Sequence, residues 1–166
     1  MIVLLIDDDL DSRLIYGRML SHAGYRVMEA VGGVQGLNIA RMSSPDVIVV
    51  DLGLPDIDGP EVIRSLRAEP STRDSVIIVL TAYISRSDEQ VATEAGSNVF
   101  LTKPIAPREL VAVIDRLVAN RPPPKPAPPR EPRGPKRHRS PSTHPEAGSP
   151  PKPSHSLSPD LVDSRQ

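Results

Sequence analysis

Four residues, Val47-Ile48-Val49-Val50, form an apolar run with no alternation, and the run ends on a carboxylate, Asp51. A continuous β-branched stretch of this kind describes a strand buried on both faces, as strands of a parallel sheet are. Open α/β sheets place their chemistry at the carboxyl ends of such strands, so Asp51 stands at a working tip. Other runs end in the same way. Ile2–Ile6 leads into Asp7, Asp8 and Asp9; residues 76–80 lead into Thr81 and Ala82; a shorter run over 98–102 leads into Lys103-Pro104. An acid pair, an acid, a hydroxyl and a lysine, each following its own strand, amount to a metal-plus-phosphoryl site.

Helical stripes separate the runs. Residues 11–23 carry apolar positions at Leu14, Ile15, Met19 and Leu20, with Asp11 or Ser12 as cap and Gly24 as stop. Arg26–Ala30 reads as a second strand and 34–42 as a second helix. Pro60, at a first helical position, opens a helix over 60–66. A helix near 87–95 ends at Gly96, and 108–119 places Leu110, Val111, Ile114, Leu117 and Val118 on one side. Five strand–helix units predict an α/β fold: a flavodoxin-like, doubly wound, five-stranded parallel sheet of order 2-1-3-4-5 with five helices. The switch point of that order lies between strands 1 and 3, where Asp7, Asp8 and Asp51 would flank one crevice.

Charge divides the chain in two. Residues 1–120 hold 11 Lys+Arg against 17 Asp+Glu, a balance of −6, and residues 121–166 hold 9 against 4, a balance of +5. The second segment also holds 14 of the 20 prolines, and its only large apolar residues are Leu157, Leu161 and Val162. That is too little to offset chain entropy with a core. The expected domains are therefore a folded unit over 1–120 and a disordered Pro-, Ser- and basic-rich tail over 121–166, spanning roughly 40 Å as a flexible coil. Arg130, Arg133, Lys136, Arg137 and Arg139 form a basic run that can attract nucleic acid or an acidic surface. It lacks stacking aromatics and reads first as a solvated extension. The chain has no cysteine, so disulfides and thiolate chemistry are excluded. No apolar run approaches the roughly 18 residues of a membrane span, and the first run meets acids too early for a signal peptide. A soluble cytoplasmic protein with no membrane partner is expected.

The acids dictate the chemistry. Asp7 and Asp8 repel by about 1 kcal/mol at about 4 Å in water, and by more in a lower dielectric. Asp51 adds to that repulsion. A hard cation resolves it, and carboxylates with water and phosphate oxygens suit Mg2+. Asp9 and Asp11 read instead as helix caps. Asp51 reads as a nucleophile that takes a phosphoryl group as an aspartyl phosphate; a plain turn-capping Asp is the alternative. Lys103 precedes a proline, where cis peptides occur, and a cis bond would aim its ammonium back into the crevice. There it can pair with Asp51, then with phosphoryl oxygens. Thr81 offers a hydroxyl beside the small Ala82.

The combination of Asp7-Asp8, Asp51 with Leu54-Pro55 and Asp58-Gly59, Thr81-Ala82 and Lys103-Pro104 resembles the receiver domain of two-component response regulators, the chemotaxis-regulator-like fold, over residues 1 to about 120. The resemblance implies that Asp51 accepts phosphate from a histidine kinase or a histidine phosphotransfer protein. Asp8, Asp51 and the Gly53 backbone carbonyl would bind Mg2+ directly, and Asp7 largely through water. Thr81 would move toward the phosphoryl group. Phe100, the only Phe of the chain, matches a switch aromatic that turns inward and alters the face of helix 4, strand 5 and helix 5. Such a protein is a phosphoacceptor that promotes only its own phosphorylation and slow dephosphorylation. With no output domain legible after residue 120, a single-domain regulator acting on a downstream protein is expected; homodimerisation on phosphorylation is left open. Leu54, Ile57 and Pro60 depart mildly from the family pattern. Gly53 and Tyr83 fall at two positions that tune hydrolysis, and neither supplies an amide or a carboxylate. A comparatively long-lived phosphorylated state follows. A haloacid-dehalogenase-type phosphatase would need a second acid where Gly53 stands.

Overall fold

In a computed structural model, residues 1–82 and 85–120 are described. The tail over 121–166, its basic run and Tyr83 lie outside the described residues. The elements run β1 (Ile2–Ile6), α1 (Leu10–His22), β2 (Arg26–Ala30), α2 (Gly33–Ser43), β3 (Val47–Val50), α3 (Gly59–Ala68), β4 (Val76–Thr81), α4 (Arg86–Ala95), β5 (Val99–Thr102) and α5 (Pro107–Ala119). One sheet forms in the order β2-β1-β3-β4-β5, and every pairing is parallel. This is the flavodoxin-like arrangement expected from the alternation.

The pleat sorts the strand residues onto two faces. Val3, Leu5, Val47, Val49, Ile78 and Leu80 pack with Tyr16 and Leu20 of α1 and with Leu110 and Ile114 of α5. Leu4, Ile6, Ile48, Val50, Ile77 and Val79 pack with Ala40 of α2, with Val62, Ile63 and Leu66 of α3, and with Ala92 and Ala95 of α4. Two helices thus cover one face and three the other. The α2 helix comes very close to β1: a Cβ on Gly36 would lie 2.5 Å from the Ile6 Cδ1. On the edge away from the strand tips, Arg67 donates to the carbonyls of Gly96 at 2.8 Å and Ser75 at 2.7 Å, tying α3 to the segments around β4 and β5.

The first helix corrects two expectations. It begins at Leu10, and of the expected caps Asp9 is the one that serves, its carboxylate accepting from the Ser12 amide at 2.9 Å, while Asp11 and Ser12 lie inside the helix. Its inward face is Arg13, Tyr16, Gly17 and Leu20, whereas Leu14 and Ile15 are 48% and 55% exposed. The apolar stripe over 14–20 is therefore rotated from the true packing face. Arg13 and Tyr16 take the inner positions because their polar ends find partners: the Tyr16 hydroxyl donates to the Ile105 carbonyl at 3.2 Å. Gly24, with φ +91°, follows the end of the helix as expected. Among the described residues, no helix is long and apolar enough to cross a membrane.

Candidate functional site

The parallel register brings the strand tips level. Ile6 pairs with Val50 and Thr81 with Thr102, so the residues after β1, β3 and β5 share one edge. Backbone bonds extend the ladder past the strands. The Asp51 amide donates to the Ile6 carbonyl at 2.9 Å, the Asp7 amide to Ala30 at 3.1 Å and the Lys103 amide to Thr81 at 2.8 Å. Asp7 and Asp51 are 1% and 8% exposed, while Asp8 is exposed. The Lys103 ammonium lies 2.6 Å from an Asp7 oxygen and 2.7 Å from an Asp51 oxygen. Asp7, Asp8 and Asp51 each offer a carboxylate oxygen within 4.8 Å of the others. The Gly53 amide donates to the second Asp51 oxygen at 3.0 Å, and the Asp9 amide to the second Asp7 oxygen at 3.0 Å. The Lys103–Pro104 peptide is cis. Thr81 is fully buried at the neighbouring tip. Phe100, on β5, is half-buried against the α2–α3–α4 core and also lines a cleft of about 380 Å³ with Glu89, Ile105 and Glu109. The structure thus gathers Asp7, Asp8, Asp51 and Lys103 at one point, with Gly53 and Thr81 beside them.

Electrostatics follow from that crowding. Burial disfavours the Lys103 charge, but hydrogen bonds to Asp51 and then Asp7 outweigh it and raise the pKa above the usual lysine value. The site therefore keeps its ammonium. Burial raises the Asp7 pKa; the Lys103 hydrogen bond offsets this only in part, and the Asp51 charge adds to the rise. One ammonium, bonded to Asp7 and Asp51, stands against three clustered carboxylates whose candidate ligand atoms are all oxygens, and the pocket opens at the exposed Asp8. Such a donor set fits a hard divalent cation.

Two residues at the site's margin escaped the sequence reading. Arg13 is buried and donates to the Asp7 carbonyl at 2.7 Å, and its Nε lies 3.8 Å from a Glu29 oxygen. Asp56, on the loop after Asp51, accepts from the amides of Gly33 at 2.7 Å and Val34 at 2.9 Å, so it caps α2 from 23 residues away. The Val34 and Gly33 amides hold its carboxyl below the usual range. The available signal was Gly32-Gly33 opening a helix with no capping side chain of its own.

Sheet order and acidic pocket together define a class, and the comparisons agree with it. Residues 3–115 match the family model of the response regulator receiver domain. The chain belongs to this family, the receiver domains of two-component systems. It is 34% identical over 121 residues to an uncharacterised 14.6 kDa protein of Leptolyngbya boryana, covering 73% of this chain and 92% of that protein. It is 38% identical over 119 residues to the transcriptional regulatory protein PrrA of Mycobacterium tuberculosis, covering 72% of this chain and 50% of the regulator. The chain thus spans about half the length of that regulator. Among solved structures, the receiver domain of a sensor histidine kinase from Pseudomonas aeruginosa, with a magnesium ion in its active-site cleft, aligns with TM-score 0.67 and 32% identity, covering 71% of this chain and 97% of that one.

Proposed function

We propose that this protein is a single-domain response regulator whose Asp51 accepts a phosphoryl group from a histidine kinase or a histidine phosphotransfer protein. The observation that carries the reading is the convergence of Asp7, Asp8, Asp51 and the Lys103 ammonium on one crevice. In the transfer, an Asp51 oxygen attacks phosphorus, a P–O bond forms and the P–N bond of the phosphohistidine breaks. The electron pair returns to the imidazole nitrogen. Asp51 is 8% exposed, which favours attack from the crevice alone. Lys103 already touches both Asp51 and Asp7; it neutralises the nucleophile in the resting state and follows the charge onto the phosphoryl oxygens. The Thr81 hydroxyl then donates to one of those oxygens, and Phe100 responds by moving inward against β4.

Asp8, Asp51 and the Gly53 carbonyl are the residues that would hold Mg2+, with Asp7 acting through water; the magnesium ion in the active-site cleft of the Pseudomonas receiver supports the choice of ion. Bound there, the ion supplies positive charge to phosphoryl oxygens. Output passes to a downstream protein through the face of α4, β5 and α5, within the cytoplasm, and the functional unit is residues 1–120. Neither Gly53 nor Tyr83 supplies a side-chain amide or carboxylate to orient a hydrolytic water, which favours a comparatively long-lived phosphorylated state.

Incubation with Mg2+ and acetyl phosphate, read by intact mass, tests the assignment. A single phosphoryl adduct is expected in the parent and none in Asp51→Ala. An adduct of equal yield in the variant would move the acceptor elsewhere. Decay of the adduct as fast as in fast-cycling receivers would sink the long lifetime, and sedimentation of the same sample decides whether it dimerises.

A further inference from the structure

We propose that Arg13 is a positioning residue for the metal-binding acids: its guanidinium clamps the peptide that joins Asp7 to Asp8. The inference rests on the reading of Asp7, Asp8 and Asp51 as the Mg2+ site. The Arg13 donor lies 2.7 Å from the Asp7 carbonyl oxygen, and the bond is buried. That oxygen and the Asp8 nitrogen belong to one planar unit. Holding the oxygen therefore sets the plane from which both carboxylates depart. The other side of Asp7 is held by its amide on the Ala30 carbonyl at 3.1 Å. Residue 7 is thus anchored on both sides, and one of the two anchors is a side chain.

The surroundings hold that side chain in turn. Arg13 is only 8% exposed, and a guanidinium at that depth persists only where partners meet it. Glu29, on β2, stands 3.8 Å from its Nε. One helical turn further along α1, Gly17 leaves the space that Glu29 fills: a Cβ there would lie 2.7 Å from the Glu29 Oε1. A small residue on α1, an acid on β2 and an arginine between them together brace the tip of β1. The planar guanidinium suits this bracing because it presents several donors in fixed directions.

Charge alone makes the opposite prediction. A guanidinium bonded to the Asp7 carbonyl adds positive charge near the site and repels an incoming dication, so removing it should tighten Mg2+ binding by Coulomb's law. A positioning role demands that removal weaken binding. The sign of the change therefore separates the two.

The experiment titrates Mg2+ calorimetrically into the full chain, the parent beside Asp8→Asn, Arg13→Met and Arg13→Lys, with melting in EDTA as the fold control. Arg13→Met is expected to bind Mg2+ about tenfold more weakly, the lower end of what loss of an outer-shell partner costs. Arg13→Lys keeps the charge on a stem one bond shorter, and an intermediate affinity is expected. Should Arg13→Met fail to fold, Arg13→Lys decides alone: binding weaker than the parent supports the clamp, and equal or tighter binding overturns it. Equal or tighter binding by a folded Arg13→Met also overturns it. If Asp8→Asn weakens binding while the Arg13 variants do not, only the clamp fails. If the parent binds no Mg2+, or Asp8→Asn binds as the parent does, the metal reading falls and the clamp with it.

Discussion

Lys103 is the residue on which the site balances. Its ammonium meets Asp7 and Asp51 at 2.6 and 2.7 Å, with only 13% of its side chain exposed. Truncating one partner of a buried ion cluster is costly because the remaining charges stay buried without compensation. Lys103→Met is expected to lower unfolding free energy by about 3 kcal/mol in EDTA, measured by urea denaturation. Millimolar Mg2+ should recover part of that loss, since a dication can take the ammonium's role between the two acids. The acids and the lysine were legible because each follows an apolar run, so a local pattern places it at a strand end. Arg13 was not legible. It sits among helix residues whose apolar neighbours looked like the inward face, and its partner, a backbone carbonyl, carries no sequence signal at all.

The first two helices separate propensity from packing. On α1, Leu20 is fully buried while Leu14 is 48% exposed, although both belong to the same apparent stripe. Leu20→Ala is expected to cost about 2–5 kcal/mol, whereas Leu14→Ser should stay within about 0.5 kcal/mol of the parent; chemical denaturation of both variants checks the contrast. On α2, the cap comes from Asp56 in the loop after β3. Because the folded-state pKa of Asp56 is depressed below 3.8, its contribution to stability is present above that pH and is lost as pH falls through the folded value. Asp56→Asn should therefore be less stable than the parent at neutral pH. The gap should close progressively below pH 3.8, as denaturant midpoints over that range would show. A cap supplied from 23 residues away cannot be read from the helix alone.

Over the described residues, one parallel sheet lies between two helical layers, and the tolerance of this unit is set by how closely the layers approach. At Gly36, α2 lies so near β1 that a Cβ would be 2.5 Å from the Ile6 Cδ1. Gly36→Val should destabilise by about 1–3 kcal/mol through overpacking, seen as a lower urea midpoint with an unchanged slope. At this scale the sequence by itself determined the five strand–helix units, the parallel sheet and the strand order. Buried runs, helical periods and right-handed crossovers leave few alternatives. It also determined which acids and which lysine reach the sheet edge, since a strand end is a local fact. The tertiary structure alone decided which side of α1 turns inward, that Asp56 caps α2 and that Arg13 holds the Asp7 carbonyl. The Asp56 cap joins segments 23 residues apart, the inward side of α1 is set by packing against the sheet, and the Arg13 bond, though it spans only six residues, ends on a backbone carbonyl; the energy of each depends on that geometry, not on any pattern along the chain.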